Sequence, residues 1–334
     1  MSTPPISGTD PAAEIAHGLV AELTSPVPPE ISAMAAAIVG EARPLGVLFY
    51  GSVARALAGT VQARAGETLC TGMLDFYVIV RRQKDWPRRL SSRIANILLP
   101  PNVEYHEVRE GERILRAKVA VLTLSQFRRL TRPDALDSSV WARFSQPARL
   151  IWVRDTQAAD SLLRCIVRAV AAAAHWSARL GPESGPSRIF WAELYARTYR
   201  NELRVEAPGR ERLLLSGMTE RNDVMLRAAW SLEGILSDPH AGEMLRPALT
   251  NAARRRALSS WQLRCRLGRP LNLLRLVKAS FTFTGGARYL AWKIERHTGI
   301  SMPLTPFAEK YPLLAAPRMA WRLIRSGLLC QRQA

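Results

Sequence analysis

Two kinds of apolar pattern divide this chain. Short, nearly unbroken runs come first, and long stretches with apolar residues every three or four positions dominate later. Val47-Leu48-Phe49-Tyr50 and Leu74-Asp75-Phe76-Tyr77-Val78-Ile79-Val80 are runs of strand length, which predicts buried strands. Asn102 to Val108 (NVEYHEV) alternates like a strand, Arg116 to Leu124 reads as another, and a last strand is expected at Ala148–Val153. Helices are expected over Ala13–Thr24 and Glu30–Glu41, from beyond Trp86 to about Leu99, and from Leu124 to Leu130. Pro100-Pro101 ends the third of these, because proline blocks helix continuation. Four or five short strands with interleaved helices predict an α/β unit ending near residue 155.

Beyond residue 158 the pattern is helical. Helices are expected at Ala159–Ala178, Ile189–Glu206, near 219–236, at 242–265 and at Leu271–Ala279, followed by a basic aromatic one at Ala287–Arg296. The domain reading is therefore a disordered Pro/Ser/Thr/Gly-rich start (1–12), a first domain (13–157), a helical domain (158–300) and a basic tail (301–334). In the tail, Pro312 to Leu329 sets Leu, Met, Trp and Ile beside Arg318, Arg322 and Arg325. That spacing suits an interfacial helix on anionic lipid. It also suits an ordinary terminal helix packed on its own domain.

Charge narrows the partners. The chain carries 47 Lys and Arg against 28 Asp and Glu, a net charge of +19, and only five of the basic residues are lysine. Such a surface points to a polyanion: nucleic acid, nucleotide phosphates or an anionic phospholipid membrane surface. Cys70, Cys165, Cys265 and Cys330 are too scattered for a zinc site or a disulfide framework, which fits a reducing cytoplasm. The first residues have neither the basic nor the apolar region of a signal peptide. No apolar run approaches the roughly 18 residues of a membrane span. The expectation is a soluble or peripheral protein.

The chemistry gathers between Val47 and Val80. Gly51 ends the first apolar run, and without a Cβ it lets a phosphate approach the backbone. Ser52 then opens a helix whose unpaired N–H groups favour an anion. Asp75, near the start of the second strand, can hold a divalent metal against a triphosphate. Arg55, one turn beyond Ser52, is within reach of a phosphate, and Glu104 and Glu107 are the candidates for a second metal carboxylate.

A Gly-Ser turn followed by an acidic strand resembles the DNA polymerase β-type nucleotidyltransferase superfamily. That superfamily usually has two aspartates one residue apart, and here only Asp75 is present. Leu74-Asp75-Phe76 resembles the hydrophobic-Asp-Phe strand of one branch, the mitochondrial-type phosphatidate cytidylyltransferases (translocator assembly and maintenance proteins). Four further stretches follow the same order. Tyr50-Gly51-Ser52, Ala117-Lys118-Val119-Ala120-Val121, Arg143-Phe144-Ser145-Gln146-Pro147 and Thr198 to Arg204 (TYRNELR) are each similar to a motif of that branch. Val53 stands where the branch has glycine and Gln146 where it has lysine.

The resemblance implies an α+β architecture: a polymerase β-like nucleotidyltransferase domain, with a small mixed sheet and flanking helices, followed by a mostly helical C-terminal domain. It implies CTP and Mg²⁺, with Asp75 as metal ligand and Tyr50, Gly51, Ser52 and Arg55 at the nucleotide. It also implies Lys118 and Arg143 at phosphates, Tyr199, Glu202 and Arg204 lining the cleft, and a cytoplasmic enzyme peripheral to the inner face of a membrane. Two other readings stay open. One is a transferase of the same fold with RNA, a protein or a small molecule as acceptor. The other is a non-catalytic basic protein that binds membrane or nucleic acid.

Overall fold

Gly46–Tyr50 (β1) is buried along its whole length. An unbroken apolar run is what a central strand covered on both faces requires. The computed structural model describes residues 10–58, 73–110, 113–201, 218–238 and 242–282, with the single positions 288, 305 and 307. The helix expected at Ala287–Arg296 and the tail at 301–334 lie almost wholly outside the described residues, as do Glu202, Arg204, Cys70 and Cys330.

Two helices, α1 (Pro11–Leu23) and α2 (Pro29–Val39), lead into β1, and α3 (Gly51–Ala58) follows it directly. Next come β2 (Leu74–Val80), α4 (Leu90–Leu98), β3 (Asn102–Glu110) and β4 (Arg113–Thr123). After α5 (Leu124–Leu130) and α6 (Ser139–Phe144), β5 (Arg149–Val153) completes the sheet. Among the described residues the rest is mainly helical: α7 (Thr156–Leu180), α8 (Ser187–Asn201), α9 (Thr219–Glu233) and α10 (Asn251–Thr282). The expected α+β architecture, a small mixed sheet with flanking helices and a helical C-terminal part, is the observed one.

Three details differ from the pattern-based expectation. A short helix, α6, stands ahead of the last strand, where the pattern predicted none. Residues 242–250 are not helical: Leu245 and Pro247 instead form isolated bridges to Gly185 and Leu236. And α10 runs unbroken through Pro270, which lies on its exposed side, so the two helices expected there are one. Proline on the solvent side of a long helix costs one internal rung without displacing core packing.

The strands lie in the order β3-β4-β2-β1-β5, antiparallel except for β2 beside β4. Alternation sorts their side chains into two cores. Val47, Phe49, Phe76, Val78, Val119 and Val121 face α2 and α3, meeting Ile31, Met34, Val53 and Ala54. Leu48, Tyr50, Tyr77, Ile79 and Leu122 face the other way, into a cluster that also holds Phe144, Leu162, Ile166, Tyr195 and Trp230. Each such aliphatic or phenyl side chain contributes about 1.5–3 kcal/mol by leaving water. The second cluster spans residues on both sides of 157, so the boundary expected there marks a change of element type inside shared packing.

Tryptophans tie the helical part together with their ring N–H groups. Trp191 donates to the Asn222 carbonyl at 2.9 Å, Trp230 to that of Ala174 at 2.9 Å and Trp176 to that of Pro133 at 2.9 Å. A buried indole needs such an acceptor, so each bond fixes one helix against another segment. Among the described residues no helix is long and apolar enough to cross a membrane.

Candidate functional site

The turn from β1 into α3 is made by Gly51 with φ +93°, a conformation that L side chains rarely adopt. The glycine is required for a second reason. A Cβ built at Gly51 would stand 2.6 Å from Asp75 Oδ2. The Asp75 carboxylate therefore occupies the space that a side chain at 51 would need, and on this proximity the site is built.

Strand register fixes what flanks it. Asp75 lies opposite Tyr50 on β1 and Lys118 on β4, and Lys118 lies opposite Tyr105 on β3. Residues opposite one another share a face, so Tyr105, Lys118, Asp75 and Tyr50 form one row on the side of the helical cluster. Tyr50 is held there by rings, with Tyr77 at 5.1 Å and Phe144 at 5.8 Å between centroids. Ser52 is exposed at the start of α3, and Val53 is buried among Phe76 and Val78. The side chain standing where the resembled family has glycine thus serves the core beneath the turn.

From α3, the Arg55 guanidinium donates to Gln146 Oε1 at 3.0 Å. Gln146 in turn donates to the Ala142 carbonyl at 2.8 Å, which pins it to the end of α6. Arg143, on α6, donates to the Ser139 carbonyl at 3.0 Å. Its charge also acts on Asp137, whose direct ion-pair partner is Arg275 at 2.7 Å. Burial would raise the Asp137 carboxyl, but Arg275, the Ser139 N–H and Arg143 outweigh it and hold the group below the usual range. Behind this segment the Ser145 and Tyr195 hydroxyls lie 3.1 Å apart. Burial pushes the Tyr195 phenol up to about 12; Tyr199 acts in the same direction, while Ser145, Arg221 and Arg55 oppose it. Tyr199 and Arg55 are thus both within electrostatic reach of one buried hydroxyl, which brings α8 to the site's edge.

The two glutamates do not join Asp75. Glu104 lies opposite Val119, whose side chain belongs to the other face of the sheet. There Trp86 Nε1 donates to Glu104 Oε1 at 3.0 Å, Arg88 Nε donates to the same oxygen at 2.6 Å, and a second Arg88 nitrogen pairs with Oε2. His106 Nε2 stands 3.2 Å from Oε2. Burial favours the neutral acid, but His106, Arg88 and Trp86 outweigh it and lower the carboxyl's pKa. Glu107 is on Asp75's face but two strands away, roughly 10 Å by strand spacing. It accepts from the Tyr105 hydroxyl at 2.7 Å and pairs with Arg116 at 3.4 Å. Burial and that carboxylate both push the Tyr105 phenol up.

The donor set fits a magnesium ion in one form. Among the described residues no three His, Cys, Asp or Glu side chains converge on one point. Asp75 at the Gly51 turn supplies one hard oxygen donor. Mg²⁺ commonly takes one or two carboxylates and draws its other ligands from substrate phosphates and water.

Sequence patterning did not reveal the support behind the 143–147 segment. Glu22 on α1 accepts from the Ala148 N–H at 3.1 Å and pairs with Arg221 of α9, which also donates to the Ser145 carbonyl at 3.1 Å. Glu22 and Arg221 are 199 residues apart in sequence, and no local spacing signals such a pair.

No protein-family model matches the chain, and no curated protein does. Among solved structures, a nucleotidyltransferase-like protein from Exiguobacterium sibiricum aligns at 13% identity over 89% of this chain and 92% of that one, with a TM-score of 0.24. A likeness of that degree says nothing about chemistry, which rests on the residues themselves.

Proposed function

We propose that this chain is a Mg²⁺-dependent nucleotidyltransferase, and more narrowly a phosphatidate cytidylyltransferase that makes CDP-diacylglycerol from CTP and phosphatidic acid. The single observation that supports it is the close approach of Gly51 to Asp75, with Lys118 next to Asp75 in the sheet. A backbone without a side chain at a helix start receives phosphate oxygens, and the adjacent carboxylate receives the cation that accompanies them.

Bound there, magnesium supplies charge neutralisation across the triphosphate. The chain's own residues do the rest by position. The Gly51-Ser52 turn orients the phosphates on the N-terminal end of α3, and Lys118 offsets charge on the transferring group. An oxygen of the lipid phosphate forms the new bond to the α-phosphorus, the α–β bridging bond breaks, and pyrophosphate leaves with that electron pair. The acceptor is already ionised, so no proton has to be removed and no base is required. Arg55, presented by Gln146, takes the place of the lysine that the resembled family has at 146. Arg143 and Tyr199 border the acceptor side, and the enzyme works as a peripheral protein on the cytoplasmic face of an anionic membrane.

The test is pyrophosphate release from each of the four nucleoside triphosphates with Mg²⁺, with and without phosphatidic acid vesicles, for wild type and Asp75→Asn. Release that needs CTP and lipid and is lost in the variant supports the full reading. Release independent of lipid keeps the transferase and assigns another acceptor. No release from any nucleotide sinks the transferase and leaves a binding protein.

A further inference from the structure

Helix α4 is built inside out. Its buried side is polar: Asn96 donates to the Val121 carbonyl at 3.1 Å and accepts from the Asn102 N–H at 3.0 Å, and Gln126 donates to the Asn96 carbonyl at 2.8 Å. Its outer side is aliphatic, with Leu90 69%, Ile94 48%, Ile97 58% and Leu98 74% exposed. The spacing of those four puts them on one face. Helix α10 adds exposed Leu263, Leu267 and Leu274 at helical intervals. Lys278 fastens the end of α10 to the end of α4, donating to the Leu99 and Pro101 carbonyls at 2.6 Å each. Between the two helices Leu98, Leu99 and Leu271 line a cavity of about 460 Å³ that Arg129 and Arg275 also border.

Asp134 and Asp137 border the same cavity, paired with Arg132 and Arg275, but on the two helices themselves the charge has one sign. Residues 86–103 include no Asp or Glu, and α10 carries eight Arg and Lys and no carboxylate. Arg89, Arg255, Arg256 and Arg266 are exposed. Contiguous aliphatic surface of this kind marks a contact site. A second copy of the chain would bring an equally basic face against it. Single-stranded nucleic acid is held through aromatic stacking platforms, and the exposed stripes contain only Leu and Ile.

We infer that the outer face of α4, continued by the leucine stripe of α10, is a membrane-contact surface that inserts Leu90, Ile94, Ile97 and Leu98 among the acyl chains of an anionic bilayer while the surrounding arginines engage its headgroups. Apolar area and basic charge together give binding to acidic lipid that neither gives alone. This surface is separate from the 301–334 tail, and its existence does not depend on nucleotide transfer.

The experiment is vesicle flotation of the full chain with neutral phosphatidylcholine and with phosphatidylcholine containing phosphatidylglycerol. The proteins are wild type, Ile97→Ser/Leu98→Ser and Leu267→Gln/Leu274→Gln, all four positions being exposed. Wild type binds the anionic vesicles and not the neutral ones, and the α4 double variant binds roughly tenfold or more weakly, since each apolar carbon withdrawn from the bilayer weakens insertion. The α10 pair produces a smaller loss. In wild type, vesicles slow amide hydrogen exchange across residues 90–98, a readout that needs no variant. Undiminished binding by the α4 variant, equal binding to neutral vesicles, or unchanged exchange in 90–98 overturns the inference. So does self-association abolished by the variant without vesicle binding, or binding to RNA but not vesicles. No nucleotide enters the assay, so its failure leaves the pyrophosphate test standing.

Discussion

Asp75 and Glu104 occupy neighbouring levels of one sheet and have opposite fates. Glu104, on the face shared with Trp86, has its oxygens engaged by an indole, a guanidinium and an imidazole. Asp75, on the face shared with Tyr50 and Lys118, fills the space that a side chain at Gly51 would take. A carboxylate saturated by the protein's own donors holds structure together. The one at the turn between β1 and α3 is where we propose that an arriving cation is held. The one-residue alternation of a strand decides which is which.

The contrast is broken most sharply by exchanging the two acids one at a time. Asp75→Asn should lower pyrophosphate release per folded molecule by about a hundredfold or more, as loss of a metal-anchoring charge does. Glu104→Ala should do the reverse. Leaving Arg88 and Trp86 without their buried acceptor should cost about 3 kcal/mol in urea unfolding, with turnover per folded molecule retained. An equal effect of both changes on stability alone would erase the distinction.

Gly51→Ala comes next. The added carbon must sit at positive φ and 2.6 Å from Asp75 Oδ2, so about 1–3 kcal/mol of thermal stability should be lost. Turnover should fall further than that loss explains, because Asp75 is displaced. Asp75→Ala in the Gly51→Ala background should recover part of the stability and none of the turnover.

Acid sharpens the comparison more gently. Glu104 in the folded chain titrates below its ordinary value of 4.5. Its stabilising contribution is therefore complete above about pH 4.5 and disappears as the pH falls through the lower folded value. Glu104→Gln should flatten the dependence of urea stability on pH below about 4.5 and leave it unchanged at neutral pH. The smallest effect is expected from Gln146→Ala. Loss of the Arg55 bond should cost about 0.5–1.5 kcal/mol, and an increase in the KM for nucleotide without a change in kcat would mark Arg55 as a phosphate contact.

Much of this was legible in the sequence, and the illegible parts share a cause. The strand cores at Val47–Tyr50 and Leu74–Val80 and the long helix α7 announce themselves by local periodicity. So does the Gly51-to-Asp75 order, because a glycine at a strand end and an acid inside an apolar run are both locally odd. Register is not local. Whether Glu104 or Glu107 faces Asp75 depends on pairing across β4, and the same residues read identically under either parity. The Glu22–Arg221 pair escapes for a like reason, since only the folded chain brings α1 beside α9. The α4 stretch reads as a helix, but nothing in its own sequence tells which side turns inward. Asn96 decides that by meeting Val121 and Asn102.

The wall behind Tyr50 and Tyr77 is made of residues from α6, α7 and α8. A chain cut after Val153 would retain Gly51, Asp75 and Lys118, the whole sheet and the cover given by α1, α5 and α6, yet the part of that face packed against α7, α8 and α9 would be left uncovered. The segment to which we assign the chemistry is for this reason not a portable module. Any ancestor or engineered relative that kept the first half alone would have had to find another cover for it, by dimerising through that face or by replacing its tyrosines and leucines with polar residues.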